Sequence, residues 1–540
     1  MPGVSATPKL EALINGWLLG VDGLSEVGTA VIGGTVTDIT ADVRSFQNIE
    51  LAYGVMGTGP TDRIAGTGTL SFGLNNSVTN THGKAGAYSP GHVDAVAGWE
   101  IGAKIVFSIA YSGTTYTKFV GSLSDISPDT GKRRQGVVCT ATDWMDNAAR
   151  AKVKNVTIQE NKRADQLIDT LVTESVNEQP ESTSYATGQS TFEIAFDNLL
   201  DAKTTVMKGL SDAVVSELGY LYIKGSTSGG GVLTMESRHS RPKFGAAVGS
   251  FDNTMSGLDV MRSRESLITR YYIVTHPRTT GTGNVVLYEL TTTGAIPEIP
   301  AGVTITINCP FKETSLNAYR VAASSIETPV SGTDWIANSS SDGTGTNLTT
   351  SVNVTIKNEA ANSAELEITN GAGATAYVTT LQLRGISVSD VSETVFSATD
   401  IRSAMRYGEI DSRIDMAYEQ RSGEFANELA SYILEVYKDP GYSIDSFWIQ
   451  SNKSDYLMTQ SLAREPGDKI TFAESFSGIA ETSGGAPNTF FINGCEMTVH
   501  TPSGMIDTRW ILAPASRQSA WVLDQVGASE LGSTTNLGFA

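Results

Sequence analysis

Seven short runs of alternating apolar and polar residues lie between positions 14 and 150, separated by turns rich in glycine, proline and asparagine. The runs are 30–32, 36–40, 46–52, 68–74, 104–111, 115–123 and 136–142. Period-two alternation places every second side chain on one face of a strand, and many short strands with frequent turns are typical of a sandwich or barrel. The 54 glycines fit such a structure, since glycine marks turns and bulges. We therefore expect a mainly β fold, α+β overall.

Residues 151–270 have a different pattern. Apolar residues at helical spacing predict helices over 164–172 and 198–218, with Gly219 as a left-handed cap. The polar stretch 177–190 predicts a loop. A hairpin follows, with strands 220–223 and 232–235 around a glycine-rich tip. We expect a small α+β module here.

Residues 276–399 return to β character. Strands are predicted at 285–290, 303–308, 352–357, 364–369 and 376–383, and the stretch 280–400 holds twelve acidic and four basic residues. The charge shift and the polar spacers favour an inserted, solvent-exposed β-sandwich.

Residues 400–522 begin with an abrupt change, because no threonine occurs between 401 and 450. A helix is predicted over 424–438, with one apolar stripe formed by Phe425, Leu429, Tyr432, Ile433 and Val436. Strands are predicted at 447–450, 469–472, 489–493, 496–500 and 508–512, and the pair Pro466-Gly467 predicts a type II turn. Residues 523–540 are predicted to form an extended C-terminal arm.

Charge and cysteine usage exclude several classes of function. The chain of 540 residues has 58 acidic and 38 basic residues, net −20, so specific nucleic-acid binding through a basic face is disfavoured. Cys139, Cys309 and Cys495 are far apart, which predicts neither disulfides nor a zinc site. No secretory signal and no apolar run of spanning length is visible.

The sequence carries no catalytic signature, so we expect no catalytic, cofactor-binding or metal-binding residues and no enzymatic activity. The five histidines (His82, His92, His239, His276 and His500) form no metal-binding pair. The stretch 225–229 has threonine at its centre and is predicted to be a hairpin tip, not a nucleophile elbow. The basic cluster 132–134 is predicted to be a solvated turn.

Two stretches of the chain resemble a known family. The first runs from Asp38-Ile39-Thr40 through Phe119-Val120-Gly121-Ser122-Leu123 to Asp143-Trp144-Met145. The second comprises the helix at 424–438, the motif Arg464-Glu465-Pro466-Gly467-Asp468, Phe491-Ile492-Asn493-Gly494 and Trp521-Val522-Leu523-Asp524. In this order the motifs resemble the minor tail proteins of long-tailed bacteriophages, specifically the baseplate or tail-tip hub.

The resemblance implies two tube-type β-barrels, one in 1–150 and one in 400–522, with 151–270 leading into the second. It implies a homotrimer that continues the sixfold tail tube in the virion tail tip, assembled in the host cytoplasm. Its partners would be the distal tail ring, the tape measure and a tip or spike protein, with DNA passing through the lumen without specific binding. A host-surface contact would fall to 276–399.

Two other interpretations compete with the hub. One is a distal-tail ring protein or a receptor-binding tail protein whose sandwich binds host glycan. The other is a secreted β-rich adhesin or glycan hydrolase, which the missing signal peptide disfavours.

Overall fold

The computed structural model describes most of the chain. The described residues are 4–14, 35–44, 46–129, 135–241, 246–252, 257–261, 267–290, 296–312, 321–390, 393–421, 423–438, 443–472, 488–514, 519–520 and 535–536. None of the helices in these ranges has the length and apolar character needed to cross a membrane.

The described part of the first 150 residues supplies seven strands and a short α-helix. They are β1 (Thr7–Ile14), β2 (Thr35–Asp38), β3 (Ile49–Gly54), β4 (Thr69–Asn75), β5 (Lys104–Tyr111), β6 (Thr114–Pro128), β7 (Gly136–Thr142) and α1 (Trp144–Arg150). Six of the seven predicted runs coincide with strands, and the run at 30–32 lies outside the described residues. Strand β1 was not predicted. It pairs with both β2 and β5, so its place depends on partners distant in sequence.

The α+β module follows as predicted in outline. Its elements are β8 (Gln159–Arg163), α2 (Ala164–Ser175), β9 (Ser182–Tyr185), β10 (Thr191–Ala195), α3 (Val206–Glu217), β11 (Tyr220–Lys224) and β12 (Val232–Glu236). The predicted loop at 177–190 was partly wrong, because β9 pairs in parallel with β12. The second helix begins only at Val206, after the Thr205 cap.

The end of α3 corrects the assignment of the left-handed residue. Leu218, not Gly219, has positive φ, at 57°. Gly219 is required for a different reason: a Cβ there would lie 2.3 Å from the carbonyl oxygen of Glu236. The glycine therefore permits a close approach of two backbones.

A second set of strands forms the inserted sandwich. After β13 (Gly249–Phe251), β14 (Gly257–Met261) and β15 (Arg270–Thr275) come β16 (Arg278–Thr280), β17 (Val285–Glu289), β18 (Glu298–Ile299), β19 (Thr304–Pro310), β20 (Ala322–Ile326), β21 (Trp335–Asn338), β22 (Val352–Ala360), β23 (Ser363–Asn370) and β24 (Ala376–Asp390). Strand β24 pairs with β16, β17, β18, β20 and β21, and β23 lies between β19 and β22. All five strands predicted in this stretch are present.

The elements after the insertion belong to the last part of the chain. They are β25 (Thr394–Thr399), α4 (Ile401–Tyr407), β26 (Asp411–Met416), α5 (Gly423–Tyr437), β27 (Ser443–Gln450), α6 (Asp455–Ala463), β28 (Lys469–Phe472), β29 (Asn488–His500), β30 (Met505–Pro514), β31 (Ser519–Ala520) and β32 (Thr535–Asn536). The two strands predicted at 489–493 and 496–500 are one strand, which continues through an irregularity between Ile492 and Gly494. Apart from β32, the predicted arm at 523–540 lies outside the described residues.

The mainly β fold is confirmed. Thirteen of the described strands form one sheet in the order β14-β27-β30-β29-β3-β4-β7-β6-β5-β1-β2, with β28 also paired to β29 and β13 to β28. Within the described strands this pairing path is open at both ends. The two segments expected to form separate barrels therefore share a single sheet, joined where β3 meets β29.

Helix α5 confirms the predicted amphipathic pattern but lies in an unexpected place. Leu429 and Ile433 are buried, and Phe425 and Tyr432 pack beside them. The helix covers the separate three-stranded sheet β25-β15-β26. Strand β25, assigned to the insertion from sequence, belongs to that sheet. Val436 lies outside the described side chains, and the division of the chain into domains stays a proposal.

Candidate functional site

The most distinctive site is the seam between the two segments of the large sheet. Strands β3 and β29 run antiparallel, with Gly54 opposite Gly494 and Tyr53 opposite Cys495. A Cβ on Gly54 would lie 2.6 Å from the carbonyl oxygen of Asn493, and one on Gly494 would lie 2.9 Å from that of Val55. Both contacts are too short for a side chain, so the two glycines are what lets the backbones approach this closely.

One carboxylate at this seam joins three regions of the chain. Glu465 pairs with the Nζ of Lys118 from β6. Its other oxygen accepts a hydrogen bond from the hydroxyl of Tyr53 at 2.8 Å and from the backbone N–H of Gly225 at 3.0 Å. The first segment, the module and the second segment thus meet at a single side chain.

The cation in this network is completely buried. The Lys118 side chain has no exposed surface, and its Nζ also donates to the carbonyl oxygens of Leu462 (3.2 Å) and Arg464 (3.3 Å). Burial, with Cys495 and Glu465 beside it, raises the pKa of Tyr53 well above its usual range, so its hydroxyl stays protonated and donates. A buried charge without its partner is strongly destabilising, so neither segment can form this site alone.

Glu465 lies in the motif 464–468, which the sequence analysis had singled out. The predicted turn is present: Gly467 has φ of +93°, and its N–H bonds the carbonyl of Ile492 at 2.8 Å. Arg464 pairs with Asp468 at 3.2 Å. The sequence did not identify Lys118 or Tyr53 as partners of Glu465, because both are more than 340 positions away.

The sequence disfavoured a metal role for the histidines, and one of them, His276, lies beside two carboxylates. His276 Nε2 lies 2.7 Å from the Oδ1 of Asp415, and with Glu393 these side chains could offer ligand atoms within 4.8 Å of one another. The sequence could not show this group, because strands β15 and β26 bring it together. His276 and Arg413 already pair with the two carboxylates, at 2.7 and 3.1 Å.

Other residues singled out from sequence lie in plain structural settings. The 225–229 stretch lies in the turn between β11 and β12, and the basic cluster 132–134 lies outside the described residues. The three cysteines are unpaired and buried, and burial raises the pKa of Cys139 and Cys309 to about 12 and that of Cys495 to about 11. These thiols are poor nucleophiles at neutral pH.

Comparisons with known proteins identify no family. No family model and no curated protein matches the sequence. Among solved structures, the fold is similar to a tail protein from Neisseria meningitidis MC58, with TM-score 0.47 and 6% identity over 94% of this chain and 96% of that one. It is also similar to the 43 kDa tail protein of prophage MuSo2 from Shewanella oneidensis, with TM-score 0.44 and 10% identity over 94% and 98%.

A third similar structure is the prophage tail protein gp18 from Listeria monocytogenes EGD-e, with TM-score 0.40, 7% identity and 94% coverage of both chains. With identities of 10% or less and TM-scores below 0.5, these likenesses carry no argument about the function of this chain.

Proposed function

We propose that the protein is a non-enzymatic structural component of a bacteriophage tail tip: a baseplate hub that continues the tail tube and connects it to the tip or spike. In this role it forms a homotrimer, contacts the distal tail ring and the tape measure, and lets DNA pass into the host. The sequence motifs described above are the starting point of the proposal.

The observation that carries the proposal is the open sheet built from two segments. Strands β2 and β14 end the pairing path, so in the described chain each has a strand partner on one side only. An unpaired edge presents backbone donors and acceptors that can pair with another chain. Edge-to-edge pairing of copies around an axis would close such sheets into a ring, as a tube wall requires.

Two further features fit this role. Val36 on the edge strand β2 is 62% exposed, which suits a contact with a neighbouring copy. The net charge of −20 disfavours retention of passing DNA, because acidic surfaces repel phosphate. The seam at Glu465 joins both segments in one sheet.

The test is the assembly state of the full chain by native mass spectrometry, with Val36→Lys as the edge variant. Lysine on an edge strand discourages pairing without burying a charge. We expect a trimer for the wild type and a lower trimer fraction for Val36→Lys at the same concentration. Val93→Lys, in a loop where Val93 is 91% exposed, is the matched control and should leave the trimer intact.

Other outcomes discriminate between functions. A stable hexamer would favour the distal-tail ring, the alternative from sequence. A monomer at all concentrations, or equal trimer fractions for the two variants, would contradict the edge-pairing hypothesis.

A further inference from the structure

A small pocket lined by arginines lies where four parts of the fold meet. Its volume is about 70 Å³, and its walls come from the loop between β3 and β4, from the module, from α5 and from strands β29 and β30. Arg63, Arg238 and Arg241 all line it, and each is less than a tenth exposed. Three buried guanidinium groups around one pocket are unusual in a chain with 58 acidic and 38 basic residues.

The hydrogen bonds of these arginines are only partly satisfied by the protein. Arg241 pairs through Nε with Glu236 at 2.7 Å and through Nη1 with Asn493 at 2.5 Å, while its Nη2 has no acceptor among the described residues. Arg238 donates through Nη1 to Ser190 at 2.7 Å, and its Nε and Nη2 likewise lack an acceptor in the described chain. A buried donor without an acceptor costs free energy, so these groups favour an acceptor ligand.

The charges around the pocket leave it positive. Arg241 is neutralised by Glu236, whereas Arg63 donates to the carbonyl oxygens of Leu218 (2.6 Å) and Pro60 (2.8 Å). Among the described side chains, Arg63 and Arg238 have no carboxylate within salt-bridge distance. The charges of Glu217, Glu419 and Arg421 also act on Arg238. Arg421 pairs with Glu419 at 2.9 Å, and the oxygens of Glu217 accept the backbone N–H groups of residues 189 and 190.

Aromatic rings hold the arginines in place. The guanidinium of Arg241 lies 3.6 Å from the ring centre of Tyr220, and that of Arg63 lies 5.1 Å from the same centre. The ring centre of Phe491 lies 5.6 Å from the same Arg241 guanidinium. Stacked guanidinium groups keep a fixed orientation, which suits planar, multidentate recognition of an oxyanion.

From these observations we infer that the pocket binds a small tetrahedral oxyanion of the inorganic phosphate class. The N–H groups of Arg238 and Arg241 that lack protein acceptors would donate to it, and Arg63 would supply further positive charge. The volume exceeds the roughly 10–15 Å³ that one water needs, so a ligand of several atoms fits. A bound oxyanion would tie α5, the module and the large sheet together. This inference is independent of the proposed function.

The experiment is thermal unfolding of the full chain in inorganic phosphate, compared with chloride at matched ionic strength, together with isothermal titration of phosphate. A ligand that binds only the folded state raises the melting temperature saturably. We expect saturable stabilisation by phosphate and sulfate, and less by acetate. Arg238→Gln should weaken phosphate binding roughly ten- to hundredfold, as the loss of charge-assisted hydrogen bonds predicts.

Arg413→Gln is the matched control, because Arg413 is exposed and pairs with Glu393 away from the pocket. It should bind phosphate like the wild type. If Arg238→Gln fails to fold, Arg238→Lys keeps the charge while removing two donors, and it should also bind more weakly. The inference is overturned if phosphate stabilises no better than chloride, if acetate stabilises as well as phosphate, or if the Arg238 and Arg413 variants bind equally.

Discussion

The large sheet and the inserted sandwich are built in opposite ways. The core of the sheet unites residues from both ends of the chain, such as Leu10 and Leu512. The core of the sandwich is drawn from one continuous stretch, between Leu287 and Leu383. The sheet can therefore form only when the two ends of the chain meet, whereas every described strand of the sandwich finds its strand partners within the insertion itself.

The sandwich contacts the α+β module, where Ala322 and Val388 pack with Ile194. Arg278 and Asp390, at the two ends of the insertion, lie opposite each other in β16 and β24. The amide of Asn362 donates to the carbonyl of Leu199 at 2.7 Å, and a backbone bond joins Ala361 to Val156 at 2.9 Å. Because the insertion leaves and re-enters the fold at adjacent strands, we expect the regions to unfold as separate units.

The largest effect is expected from removing the buried charge at the seam. Glu465→Ala leaves Lys118 buried without its partner, which should cost about 3–5 kcal/mol of unfolding free energy. The matched variant in the sandwich is Asp334→Ala. Asp334 pairs with Arg384 at 2.7 Å, but the Arg384 side chain is 28% exposed and can be solvated by water, so the loss should be smaller.

Hydrogen exchange followed by mass spectrometry measures both variants region by region. Glu465→Ala should lower protection in β3 and β29, and Asp334→Ala only in the sandwich. Unchanged protection of β3 and β29 in Glu465→Ala would show that the carboxylate does not hold the seam.

Core truncations sharpen the comparison. Leu512 in the sheet and Leu366 in the sandwich are both fully buried, and Leu→Ala at such sites costs about 2–5 kcal/mol. Each variant should lower protection in its own region and leave the other unchanged. Leu→Met at the same positions is the control, with a cost below about 1.5 kcal/mol. Loss of protection in both regions from either truncation would mean that the protein unfolds as one unit.

The two regions should also respond oppositely to acid. Burial raises the pKa of Asp143, at the end of β7, to about 7, so its ionised form destabilises the folded state above that pH. As the pH falls from 8 towards 4, Asp143 takes up a proton in the folded state at a higher pH than in the unfolded state. The free energy of unfolding of the sheet region should therefore rise, on the order of 1–4 kcal/mol. Asp143→Asn should remove this rise, which denaturation at a series of pH values measures.

In the sandwich, the N–H of Thr344 and the hydroxyls of Ser340 and Thr344 lower the pKa of Asp342 to about 2. The stabilising contribution of the Asp342 carboxylate is present above pH 4 and is lost as the pH falls towards 2. The same slope in Asp143→Asn and wild type would contradict the assignment to Asp143.

The smallest change in stability is expected from the largest alteration of the chain, a deletion of the inserted sandwich. Replacing residues 279–389 by a short glycine-serine linker joins Arg278 to Asp390, which are already neighbours, and keeps the ion pair of Arg278 with Asp197. We expect the remainder to unfold cooperatively, with its stability changed by less than about 1–2 kcal/mol. Circular dichroism on melting checks this. Insoluble protein would show that the sandwich is integral to the fold.

Local patterns in the sequence predicted much of the secondary structure. Strands such as Thr69–Asn75 and Gly136–Thr142 follow from period-two alternation, and helix Gly423–Tyr437 follows from its apolar stripe. These elements bury one face, and the spacing of apolar residues records which face that is. The sandwich strands were predicted for the same reason, because strands such as Ser363–Asn370 also alternate in burial.

Only the tertiary structure decided how the segments combine. The pairing of β3 with β29, the position of Glu465 beside Lys118 and the arginine pocket each join residues far apart in sequence. Alternation specifies that a strand has a buried face but not which edge it will pair with, because backbone hydrogen bonds are the same for every partner. The cost of closing such long loops is recovered only when all the partners of the sheet and of its buried charges are in place.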